Sequence, residues 1–153
     1  MDQKVNYPRK TTHFTMNNHS KRTILYVHLD KNDEKIQVSD LGIAIQDMMC
    51  GLMTVHGKIK LAGSPEDLKK KRLFLCSDIC MVESVVSGGQ NLPILRELKL
   101  DNDSVNMDIS NVLWLDARDQ LLQTVRLFIK DENDKIASLD ECFLKCTLLL
   151  FPK

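Results

Sequence analysis

Between Thr23 and Phe151 the apolar residues recur at every second position far more often than at the three-and-four spacing of a helix, and this pattern limits the fold more than any other feature. Side chains on a strand point alternately to opposite faces, so a period of two predicts sheet. Ile24, Tyr26 and His28 alternate with Leu25, Val27 and Leu29, and both sets are mostly apolar, as in a strand covered on both faces. Residues 30–34 read as a turn and 35–38 as a short return strand. Met53, Val55, Ile59 and Leu61 alternate with Thr54, His56, Lys58 and Lys60, which predicts a half-exposed strand. Residues 73–76 and 79–86 are further strands, with loops at 62–67 and 87–93, and 94–100 fits either a strand or a short helix.

The C-terminal third is the most strand-like. Val105, Met107, Ile109, Leu113 and Leu115 share one face of a long strand, Leu121, Val125, Leu127 and Ile129 dominate a second, and residues 142–151 make a third that is apolar on both sides. Residues 131–135 form the hairpin turn between the last two. This turn echoes the earlier one: residues 29–36 and 129–136 both leave an apolar strand through Asp and Asn and enter Lys-Ile, as similar hairpins do.

One segment predicts a helix. Ser39 stands at an N-cap with Asp40 in the first turn, Leu41, Ile43, Ile45, Met48, Met49 and Leu52 supply its apolar face, and Gly51 closes it, with Gly42 as its weak point. Pro65 opens at most one further turn toward Lys70. About eight strands with one or two short helices describe a mainly β protein, sandwich- or barrel-like, with an α+β arrangement as the alternative.

The charge balance divides the chain where the alternation begins. Residues 1–22 carry Lys4, Arg9, Lys10, Lys21 and Arg22 against Asp2, a net +4, and residues 23–153 carry the compensating −4. Residues 1–22 are therefore expected to be a flexible basic arm ahead of a single globular domain spanning 23–153. A second cationic run, Lys69, Lys70, Lys71 and Arg72, sits between a Pro-containing loop and a strand and belongs on the surface. Arm and loop together suit an anionic membrane surface or nucleic-acid phosphate. With aromatics at 5% and Trp114 in a strand pattern, nucleic-acid binding would run through the backbone and not through base stacking.

Reaction chemistry finds little support. Cys76 and Cys80 repeat the spacing of Cys142 and Cys146, the one arrangement resembling a zinc site. Positions i and i+4 of a strand lie roughly 13 Å apart, too far for one ion, so these thiols read as core residues and no metal or cofactor is expected. The turn containing Asp30, Asn32, Asp33 and Glu34 lacks the central glycine and terminal glutamate of a calcium loop. Cys50 and His56 are near in sequence without a third orienting group, and residues 87–90 lack the lysine of a phosphate loop. Five cysteines, no apolar leader and no run of about 20 apolar residues fit an intracellular protein with reduced thiols.

The resulting expectation is a non-enzymatic, self-associating structural protein whose basic segments meet an anionic surface, in the manner of a small viral matrix or coat protein. Self-association would use Met48, Met49 and Met53 or a terminal edge strand presenting Leu148 and Leu150. An intracellular adaptor or inhibitor using the same surfaces is the alternative, and a small metal protein or enzyme the third.

Overall fold

The computed structural model describes residues 13–17, 22–63, 71–81, 84–86, 90–92 and 94–153. All regular structure among these residues is β, and every ladder is antiparallel. Two 14-residue strands, β5 (Met48–Leu61) and β15 (Leu139–Pro152), pair along nearly their whole length and form the axis of the main sheet. With β1 (His13–Asn17), β2 (Arg22–Leu29), β10 (Leu100–Asp101) and β11 (Ser104–Asp108), the order is β1-β2-β15-β5-β11-β10. The short β12 (Leu115–Asp116) pairs with the beginning of β5.

A second sheet runs β3-β14-β6-β9, formed by β3 (Glu34–Gln37), β14 (Thr124–Asp131), β6 (Leu73–Ser77) and β9 (Ile94–Leu98). Two small ladders complete the fold, β4 (Ile43–Ile45) with β13 (Gln120–Leu122), and β7 (Ser84–Val86) with β8 (Gln90–Leu92).

Burial follows the alternation. On the main sheet Leu25, Val27, Leu29, Leu144, Cys146, Leu148, Leu150, Val55 and Ile59 point inward. They join Ile36, Val125, Leu127, Ile129, Leu73, Leu75 and Leu95 of the second sheet in one core cluster, the signature of two sheets packed face to face. The second sheet also buries residues on its outer face, where Phe74, Cys76, Ile94 and Phe128 form a smaller cluster. At one end Asn32 ties the sheets together. Its amide donates to the carbonyls of Ile129 (3.0 Å) and Ala137 (2.8 Å) and its oxygen accepts from Ile129 N–H (2.6 Å), so a side chain acts as a short extra strand for β14.

Several expectations are corrected. The segment read as a helix is β4 followed by the start of β5. Ser39 does cap a turn, its hydroxyl accepting from Gly42 N–H at 2.9 Å, but Gly42 then takes φ +89° and turns the chain into a strand. The spacing Leu41, Ile45, Met48, Leu52 mimics a helical stripe because a turn at Asp47 (φ 51°) moves the inward positions from odd to even. A bulge at Met53, between the pairs Thr147/Thr54 and Leu148/Leu52, moves them back. The long strand drawn from Val105 to Leu115 is two strands separated by residues 109–114, which pass that bulge with Ile109 N–H bonded to Met53 O at 2.9 Å.

Residues 94–98 are strand, and the described residues hold fifteen strands in place of about eight, many of them only two or three residues long. Ahead of Thr23, β1 pairs with β2, and Arg22 opens β2. The turn at Pro65 lies outside the described residues.

Candidate functional site

The outward face of the main sheet is where unlike side chains converge. The register sets His28, Lys145, His56 and Asn106 side by side across β2, β15, β5 and β11. The next row along the strands is Tyr26, Thr147, Thr54 and Asp108. On the other side of the histidine row, Phe143 of β15 pairs with Lys58 of β5. Tyr26 and Phe143 are large side chains left 40% and 45% exposed, on a face whose alternate positions are core.

The rings make contact. His28 meets Phe143 edge to face with centroids 6.0 Å apart, and the Lys145 ammonium lies 5.8 Å from the Phe143 ring centre. His56 is held from two sides, its Nε2 3.0 Å from Asp108 Oδ1 and its Nδ1 against Asn106 Oδ1. At one end this face opens into a cleft of about 640 Å³ lined by Asp30, Lys31, Asn32, Lys58, Leu139, Asp140, Glu141, Cys142 and Phe143. Toward the other end it closes over apolar contacts, where Trp114 packs on Gly51 and meets Phe151 edge to face at 4.7 Å.

The cationic candidates are dispersed. Lys4, Arg9, Lys10, Lys21, Lys69 and Lys70 lie outside the described residues. Arg22 is exposed at the start of β2, and Lys71 is exposed ahead of β6. Arg72 is already engaged: its guanidinium forms a forked pair with Glu97 (2.9 and 3.0 Å) and covers the Phe74 ring at 5.2 Å, while its N–H donates to Glu132. The Arg72 hydrogen bond holds the Glu97 carboxyl below the usual range. Arg22 and Arg72 do not form one patch. Arg22 pairs with Asn17 beyond the Thr23–Leu150 pair, whereas Arg72 precedes the Leu73–Asp131 pair, at the end where Asn32 clasps Ile129.

The proposed association surfaces divide similarly. Met48 is buried and Met49 and Met53 are half-buried. Leu148 and Leu150 are fully buried, because β15 is flanked by β2 and β5 and is no edge. The large exposed apolar side chains lie elsewhere, notably Leu41 and Leu121 at the β4–β13 tip, 77% and 61% exposed.

The thiols are distributed through the interior. Cys76 belongs to the outer cluster of the second sheet, and Cys80 belongs with Cys50 to the main core. Among the described residues no three His, Cys, Asp or Glu side chains converge to hold a metal ion. Burial pushes the thiols of Cys76 and Cys146 up to about 12, and burial followed by Asp30 and Glu34 pushes Cys142 up to about 11.

Unfolded thiols release their protons near their ordinary value of 9.0, while these buried ones retain theirs. The folded chain therefore binds more protons above that value, and stability is full below about pH 9 and declines toward pH 12. The urea midpoint under reducing conditions is expected to fall across this interval, and more shallowly once Cys76 is replaced by alanine.

Sequence reasoning treated Tyr26, His28, His56 and Phe143 as ordinary strand residues. The available signal was their position out of phase with Leu25, Val27, Leu29, Val55 and Leu144, which assigns them to the outward face. Comparison of the chain with protein-family models, curated proteins and solved structures finds no match. Among the described residues no helix is long and apolar enough to cross a membrane.

Proposed function

We propose that this protein is a non-enzymatic structural component that associates with copies of itself and meets an anionic surface through its basic segments, as a matrix or coat protein would. The observation that carries this reading is the open margin of the main sheet. Strand β1 borders it, pairs on one side only among the described residues, and leads back into the segment carrying Lys4, Arg9 and Lys10. An unpaired row of backbone donors and acceptors is a template for a second strand, and pairing with another subunit satisfies it.

The test is light scattering after size exclusion on the full chain and on a chain lacking residues 1–17, at low and high salt. The expected result is a full-length oligomer that dissociates on truncation while the shortened chain stays folded. A monomer under every condition removes self-association. A second reading, an adaptor or inhibitor for another protein, draws on Leu41 and Leu121, whose exposure at the β4–β13 tip suits an apolar docking knob. Substituting both with serine would then abolish partner capture and leave any self-association unchanged.

A further inference from the structure

We propose that the outward face of the main sheet is a platform for single-stranded nucleic acid, with Tyr26, His28 and Phe143 stacking bases and Lys58 and Lys145 meeting the phosphates. The argument begins with ring spacing. Tyr26 and His28 are two residues apart on β2 and face the same way, so their Cα atoms lie about 6.7 Å apart at the rise of a strand. His28 and Phe143 follow at a centroid distance of 6.0 Å. The three side chains thus follow one another across β2 and β15 on one face, with the His28 ring standing at 70° to the Phe143 ring. Sheet faces that bind single strands use this device, a few aromatic side chains on adjacent strands with cations alongside.

The cations stand in the required place. The Lys145 ammonium lies over the Phe143 ring, 5.8 Å from its centre, so a base and its phosphate would share this site with it, and Lys58 pairs with Phe143 across the ladder. Between and beyond the rings the face offers Thr147, Thr54 and Asn106, which are hydrogen-bonding groups suited to base edges and sugars. Thr147, Thr54 and Asn106 between the rings would lose water without gaining partners in an acyl layer, and for that reason the platform fits a nucleic-acid strand better than lipid.

Carboxylates bound the track. Asp108 sits against His56 on the β11 side, and Asp30, Asp140 and Glu141 line the cleft beyond Phe143. Phosphates are thereby confined to the strip over β2 and β15 with Lys58 of β5 at its margin, and the footprint is short, about three bases. This inference goes beyond the assembly reading and does not require it, since a monomer presents the same face.

The test is fluorescence anisotropy of a labelled oligodeoxythymidylate titrated with the full chain, with Tyr26→Ala, Phe143→Ala and Lys145→Gln in parallel and light scattering on each sample. Both rings are exposed, so a cooperative thermal transition well above the assay temperature certifies each variant. Salt-sensitive binding that weakens about tenfold with each ring removed supports the platform. Lys145→Gln should reduce the salt dependence by about one phosphate contact.

Three results overturn the proposal: no binding at low salt, binding indifferent to both rings but lost with residues 1–12, or capture by phosphatidylserine vesicles with none by the oligonucleotide. Because association state is read on the same samples, failure of the platform is distinguishable from failure of self-association.

Discussion

Gly57→Ala is expected to cost about 4 kcal/mol or more, which is most of the stability of a domain at the low end of the usual range of about 5–15 kcal/mol. Gly57 lies where the main sheet is most confined, paired with Leu144 of β15 on one side and Val105 of β11 on the other. Its φ of +151° is a conformation that side chains disfavour, and a Cβ there would stand 1.8 Å from the carbonyl oxygen of Phe143. The obstacle is backbone of the neighbouring central strand, so no rotamer change relieves it.

Gly51 makes a useful contrast. A Cβ at Gly51 would meet Val112 and the Trp114 ring, at 2.5 and 2.7 Å, and these are side chains lying on the surface of β5. Gly51→Ala should therefore cost less, about 1–3 kcal/mol, and be partly rescued by Trp114→Ala. Chemical denaturation followed by circular dichroism checks both. A Gly57→Ala midpoint within error of the parent would mean that β5 and β15 do not approach as described.

How far these features can be read in the sequence depends on whether they are local. The β class and the inward residues of β2, β14 and β15 follow from alternation, because one strand fixes its own two faces. The helix assigned to residues 39–52 arose where that rule was interrupted, since the Asp47 turn moves the inward positions from Ile43 and Ile45 to Met48, Cys50 and Leu52 and imitates a period near 3.6, and the Met53 bulge then moves them back. A bulge is set by the partner strand and leaves no composition signal of its own.

The candidate site was hidden for a related reason. His28 and Phe143 lie on strands far apart in sequence, and only the register of β2 with β15 sets one beside the other. The cationic loop was legible as exposed charge, but the fork from Arg72 to Glu97 was not, because it bridges β6 to β9. Low aromatic content argued against base stacking as an average. It cannot report that exposed rings share one face.

Leu148→Ala is expected to lower the melting temperature by about 6–12 °C, following a loss of about 3 kcal/mol. The expectation of an edge strand presenting Leu148 and Leu150 predicts a different outcome, a change in association with little loss of stability. Yet a strand apolar on both sides belongs inside a sheet, and β15 occupies that position. Leu148 pairs with Leu25 on β2 and Leu52 on β5, and all three are buried in the core shared with the second sheet. Truncation leaves a void that rigid strands on both sides cannot fill.

Phe143, on the same strand but outward and 45% exposed, supplies the control: Phe143→Ala should shift the transition by less than half as much. The two substitutions separate the two roles of β15. If Leu148→Ala alters association and spares stability, the strand is an interface. If it destabilises the chain while the oligomer measured at low temperature persists, β15 is the spine of the sheet and self-association belongs to the β1 margin.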